Sequence, residues 1–207
     1  MAILRIGIVA RSLRQPLRKS LVIAGRLGAD GVEIDLRTEL PIADLGPSAV
    51  RQVRKLLEDN RLALAAVSFP TRRGYAHTEQ LDQRLAATRA AIDAASKLGA
   101  PTLVIHPGAI PAQDTSSRRV LSESLGTLAQ TADHYGVVLG LQADSDNAAD
   151  LPHVLAGLPE DRVGVCLNPA ELIAGGQQPT EVVKLIGPRL RYVYAADAVR
   201  DLATRGA

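Results

Sequence analysis

The chain has 207 residues, 46% hydrophobic and 22% charged, with a formal net charge of +2, 2% aromatic residues, no Trp and a single Cys166. That length buries one full core, so a single domain over residues 1–207 is expected; one Cys excludes an internal disulfide, and no apolar stretch reaches the ~20 residues of a membrane span. The opening residues lack the apolar run of a secretory signal, which leads us to expect a cytoplasmic protein with no membrane association.

Leu4 to Val9 reads as the first strand. A helix follows through Leu17, Val22, Ile23 and Leu27 and stops at Gly28. In the second strand, Gly31 to Leu36, alternation sends Val32, Ile34 and Leu36 to one face and Glu33 and Asp35 to the other. Ser48 is expected to cap a helix carrying Val50, Val53, Leu56 and Leu57 ahead of a third strand from Leu62 to Phe69. After the polar segment Thr71 to His77, the Ala-rich stretch from Glu79 to Leu98 predicts the longest helix. Leu98-Gly-Ala-Pro-Thr-Leu-Val-Ile-His-Pro-Gly108 then holds a helix end, a buried strand and a polar turn. A loop and a helix through Val120, Leu121, Leu125 and Leu128 lead to strand five, Gly136 to Gln142. Ser145 or Asn147 is expected to cap a short helix reaching Leu158. Arg162 to Asn168 is strand six, Thr180 caps the next helix, and Leu190 to Asp197 is strand seven.

Seven alternating strand and helix units predict an α/β fold with a parallel sheet. No Gly-x-Gly-x-x-Gly follows the first strand, and polar residues end nearly every strand. Both favour a (β/α)8 barrel over an open doubly wound sheet. The expected architecture is a TIM-type barrel with about seven units and the eighth missing, because such barrels take ~250 residues. An open edge between strands one and seven follows, lined by Ile6 and Ile8 on one side and Tyr192 and Val193 on the other. A homo-oligomer or a longer native chain continuing beyond Ala203-Thr-Arg-Gly-Ala207 would close it.

Barrel chemistry sits at the C-terminal strand ends. There the sequence offers Glu33 and Asp35, Ser68, His106, Gln142 and Asp144, Asn168 and Glu171, Tyr194 and Asp197. Glu33 and Asp35 need cationic partners such as Arg5 or Arg11. The basic clusters (Arg11, Arg14, Arg18 and Lys19; Arg72 and Arg73; Arg118 and Arg119) lack interleaved aromatics for base stacking. They read as solvated faces and not as a nucleic-acid surface, with phosphate-bearing small molecules left open.

Five segments together resemble the xylose isomerase-like TIM barrel superfamily, in particular the sugar phosphate isomerases/epimerases, across essentially the whole chain. They are Gly31-Val-Glu-Ile-Asp-Leu-Arg37, Ser68-Phe-Pro-Thr-Arg-Arg-Gly-Tyr75, the stretch from Leu98 to Gly108, Val163-Gly-Val-Cys-Leu-Asn-Pro169, and Tyr192-Val-Tyr-Ala-Ala-Asp-Ala-Val-Arg-Asp201. The resemblance implies a divalent metal (Mn, Mg, Co or Zn) held by acidic and imidazole side chains ending strands five to eight. At the matching positions this chain has Gln142, Asn168 and Tyr194, with the fourth beyond its end, so no residue is assigned as a metal ligand. Amide-for-carboxylate exchange keeps shape and hydrogen bonding but removes the charge that binds a dication.

The resemblance therefore implies a sugar or sugar-phosphate isomerase/epimerase-like protein with an impaired metal site. Its catalytic positions would be Glu33, His106, Gln142 and Asn168. Its substrate-binding positions would be Asp35, Ser68, Arg72, Tyr194 and Asp197, and its partner a small sugar or sugar phosphate. A non-catalytic carbohydrate-binding or interaction protein on the same fold is the alternative. An apurinic endonuclease-like activity is more distant, since only His106 of the four histidines is in place.

Overall fold

The computed structural model describes residues 4–113 and 115–198. Seven strands make one parallel sheet: β1 Gly7–Val9, β2 Gly31–Asp35, β3 Ala63–Ser68, β4 Thr102–Ile105, β5 Val138–Ala143, β6 Val163–Leu167 and β7 Leu190–Val193. Their spatial order is their chain order. A doubly wound sheet reverses direction at a switch point, whereas a barrel wall does not, so this is the wall of a barrel, a half-barrel of seven units. Among the described residues seven α-helices connect the strands: α1 Leu17–Arg26, α2 Pro47–Asp59, α3 Leu81–Leu98, α4 Ser116–His134, α5 Leu151–Leu155, α6 Pro169–Ala174 and α7 Pro179–Ile186. No helix among the described residues is long and apolar enough to cross a membrane.

Strand alternation divides the sheet into two environments. Val32, Ile34, Leu103, Ile105, Leu139, Leu141, Val163 and Val165 pack against helix residues such as Leu21, Ile92, Leu121, Leu125 and Leu128 in the main core. The opposite, inner face carries a separate small cluster of Ala66, Val104 and Cys166, with Tyr192 and Tyr194 against it. Glu33 and Asp35 lie on that inner face, as the period of two requires.

Two bulges change the register: Ala65 is the extra residue where β2 meets β3, and Arg191 is the extra residue where β6 meets β7. The second matters most for the site, because it pairs Cys166 with Tyr192 and leaves Tyr192 and Tyr194 on the inner face.

The expected caps differ in detail. Ser48 lies inside α2, whose N-cap is Gly46, with Pro47 supplying the preset φ of a first helical residue. The N-cap before α7 is Gln178 rather than Thr180, again with a proline, Pro179, starting the helix. Asn147 Oδ1 accepts from the Asp144 amide and Asp144 Oδ1 from the Asp146 amide, so this segment forms local side-chain turns and α5 begins only after Asp150. Helix α3 starts at Leu81, not Glu79, because Gln80 has φ 53. Thr115, in contrast, caps α4 by accepting from the Arg118 amide at 3.1 Å. Helix α6 was not anticipated; six residues after Asn168 are too few to show a helical period.

β1 begins at Gly7 because the Ile6 amide turns to the Asp30 carboxylate (2.8 Å) instead of a strand partner. β7 ends at Val193, although the Tyr194 amide still reaches the Leu167 carbonyl at 2.9 Å. Among the described residues, β1 and β7 each have one strand neighbour. Ile6 and Val193 are exposed at this edge, as expected, but Tyr192 turns inward and Ile8 packs on the main core. The tail from Val199 and the start of an eighth unit lie outside the described residues.

Candidate functional site

Glu33 sits on the inner face with 1% of its surface exposed. Neither carboxyl oxygen has a hydrogen-bond partner among the described residues, and the buried Ser68 hydroxyl has none either. Burial raises the Glu33 pKa. The nearby hydroxyls of Tyr194, Ser68 and Tyr192 and the Arg11 charge oppose that rise without cancelling it. The effect is mutual, because burial and then the Glu33 charge push both phenols and the Cys166 thiol upward. The outcome is a patch that favours neutral, hydrogen-bonding forms of all its members.

Asp35 has a different role. Its Oδ2 accepts from Arg11 at 3.2 Å, while Oδ1 accepts the Arg37 and Thr38 amides at 2.7 and 3.1 Å. It organises the turn after β2, and Arg11, not Arg5, is its cationic partner.

His106 ends β4 and bonds through Nε2 to Asp144 beyond β5, while the Gly108 amide donates to Nδ1 at 3.1 Å. A bare Nδ1 leaves the proton on Nε2, so the geometry holds the neutral imidazole with Nε2–H donating to the carboxylate. The Asp144 bond still raises the His106 pKa against the opposing effect of burial. Burial pushes the Asp144 carboxyl up, but His106 and the Asp146 and Asn147 amides outweigh it and the net direction is down.

Gln142 Nε2 donates to Glu171 at 2.9 Å, joining the end of β5 to α6. Asn168 at the end of β6 has a buried Oδ1 without a partner among the described residues. Asp197 is exposed and accepts from the adjacent Ala198 amide; Arg72 is exposed on the rim after β3. The structure thus brings Glu33, Ser68, Tyr192 and Tyr194 into one group and His106, Asp144, Gln142 and Glu171 into two linked pairs. It leaves Asp197 apart. Tyr192 was missed as a site residue because the bulge at Arg191 has no signal in a short apolar strand. No group of three His, Cys, Asp or Glu suited to a metal ion occurs among the described residues.

One prediction follows from Glu33. Its folded pKa is raised, so the folded state holds more protons than the unfolded one above the ordinary value of 4.5. Stability then falls as pH rises from there through the folded pKa. Glu33→Gln should remove this slope. Urea unfolding at several pH values would show wild type losing stability relative to the variant on going from acid to neutral; parallel curves would mean the carboxyl is solvated.

A family model described as Xylose isomerase-like TIM barrel matches residues 21–206. No curated protein compared with the chain matches it. Among solved structures, a xylose isomerase domain protein from Planctomyces limnophilus is 18% identical with a TM-score of 0.76, the match covering 84% of this chain and 67% of that one. A D-psicose 3-epimerase solved in the presence of D-fructose is 15% identical with a TM-score of 0.76, covering 92% of this chain and 72% of that one. A xylose isomerase-like TIM barrel protein from Mycobacterium smegmatis in complex with magnesium is 22% identical with a TM-score of 0.69, covering 86% and 65%. At these identities the likeness is one of fold, and it agrees with the strand order. The chain belongs to the xylose isomerase-like TIM barrel family.

Proposed function

We propose that this chain is a sugar or sugar-phosphate isomerase/epimerase-like protein whose divalent-metal site is impaired. The observation that carries this reading is the set of donors at the ends of β5, β6 and β7. Gln142 and Asn168 are neutral amides, the Gln142 amide nitrogen is committed to Glu171, and Tyr194 is a phenol whose proton is held more firmly by burial beside Glu33. By donor chemistry this set does not fit a dication, which needs carboxylate or deprotonated ligands to offset its dehydration. It does suit the hydroxyls of a polyol, each of which can donate one hydrogen bond and accept others.

The residues proposed to act are Glu33, held toward its protonated form and able to donate to a sugar oxygen, and the His106–Asp144 pair, whose carboxylate keeps capacity to accept from a sugar hydroxyl while His106 fixes its orientation. Gln142, Asn168, Ser68 and Tyr194 would position hydroxyls; Asp35 would act through the turn it holds, and the exposed Asp197 would meet substrate only at the rim. The unpartnered oxygens of Glu33 and Asn168 equally favour a second reading, a carbohydrate-binding protein without turnover, because a ligand hydroxyl would satisfy groups that are costly to leave bare. The same reading takes the chain as one domain of the cytoplasm, acting on small molecules and not on nucleic acid, and able to self-associate along the edge between β1 and β7.

Manganese titration by electron paramagnetic resonance tests it. The wild type should bind no tighter than millimolar, and Gln142→Glu with Asn168→Asp and Tyr194→His should tighten binding at least about tenfold, or roughly 1.4 kcal/mol. A micromolar site in the wild type would overturn the proposal. Proton NMR of ketose–aldose pairs and of ketose epimers with the wild type separates the two readings, since only an isomerase or epimerase interconverts them.

A further inference from the structure

At the C-terminal ends of β2 and β3, against the start of α3, lies a cavity of about 470 Å³ walled by Arg37, Arg72, Arg73 and Arg84, with Gln80 and Gln83 beside them. Four guanidinium charges face one lining carboxylate, Glu79. Three of the four are held in place. Arg37 stacks over the Phe69 ring at 4.4 Å, Arg73 is bonded to Glu79, and Arg84 donates to the carbonyls of His77 and Glu79, leaving its buried Nε without a partner. Arg37 and Arg72 form no ion pair with a carboxylate among the described residues.

Solvated surface arginines repel one another and spread into water. Here they are pinned around a concavity, and an anion in that concavity would relieve the repulsion. Guanidinium forks match phosphate oxygens pairwise, and the excess of positive charge selects a dianion over a single carboxylate. The volume lies within the ~300–1,000 Å³ of small-molecule sites, so it takes more than a bare phosphate ion.

We propose that this cavity binds the phosphate group of a small phosphomonoester. That the rest of the ligand is a polyol rests on the function proposed above; the anion site does not. Isothermal titration with inorganic phosphate, a hexose and the same hexose 6-phosphate, at low and high salt, tests both.

Phosphate should bind saturably and weaken with salt. The hexose 6-phosphate should bind at least about tenfold tighter than the hexose. Arg37→Ala and Arg72→Ala should each weaken phosphate and hexose 6-phosphate at least about fivefold, Arg72→Ala with unchanged melting and Arg37→Ala with a small loss from its stacking on Phe69, and Arg72→Lys should recover only part, because an ammonium cannot form the paired bonds. Phosphate binding that does not saturate, or that both alanine variants leave unchanged, would overturn the proposal. If the hexose binds while phosphate does not, the anion site fails and the polyol reading survives. If phosphate binds while hexose 6-phosphate gains nothing over it, the anion site stands and the polyol reading fails.

Discussion

Arg189→Met should destabilise the protein by about 3–5 kcal/mol, the scale for removing a buried charged group that others depend on. Arg189 is only 9% exposed and precedes β7. Its Nη1 donates to the carbonyls of Pro159 and Val163 at 3.1 Å each, and its Nη2 to those of Leu155 and Leu158 at 2.8 Å each. These carbonyls close the C-terminal end of α5 and the turn into β6; those of Leu155 and Pro159 also accept the Leu158 and Val163 amides at 3.0 Å each, and the guanidinium ties all four together. Methionine fills much of the volume but removes four charge-assisted bonds at once. The exposed Glu160, 3.8 Å from Nε, adds little. Arg189→Lys keeps the charge but has a single nitrogen, and should cost about half as much. Urea midpoints at constant m-value check both; a loss below about 1 kcal/mol for the methionine variant would mean that water replaces the guanidinium.

Gly108→Ala should cost about 3 kcal/mol, from left-handed strain and a backbone collision together. Gly108 has φ +87, and a Cβ there would lie 2.5 Å from Gly74 Cα. A Cβ on Gly74 would meet the same wall from the other side, 2.3 Å from the Pro107 carbonyl oxygen. The contact is backbone on backbone, locked by the Tyr75 amide donating to Pro107 at 3.0 Å, so neither loop can yield by rotating a side chain. It fastens the loop bearing Arg72 and Arg73 to the loop bearing His106. Phosphate affinity should therefore fall along with stability. Gly28→Ala is the control: its φ is +76 with nothing within 4 Å of the new Cβ, and it should cost only about 1 kcal/mol. Equal losses at Gly28 and Gly108 would show that the loops are not in contact in solution.

The two periods of the chain were legible from one end to the other. Apolar runs such as Leu103 to Ile105 and the amphipathic helices between them are local patterns, and each strand with its helix has only one way to bury its apolar face. Polar residues that end a strand in a barrel must lie at one mouth, so Glu33, Ser68, His106, Gln142 and Asn168 could be assembled on one inner face from alternation alone. Helix starts were less legible. Ser48, Asn147 and Thr180 are good caps by type, but neighbouring prolines and side-chain turns set the boundary elsewhere.

What the sequence by itself determined was the parallel α/β wall and the side of it that carries polar groups, since both follow from spacing along a single strand or helix. Which polar groups meet was decided only in three dimensions. The bulge at Arg191 turned Tyr192 toward Glu33, the approach of Gly74 to Gly108 joined two loops 34 residues apart, and the folding of α3 against the ends of β2 and β3 gathered four arginines from three separate segments around one cavity. The physical reason is the range of the forces: hydrophobic periodicity acts on neighbours in the chain, whereas charge, backbone contact and register depend on partners that only the folded wall brings within reach.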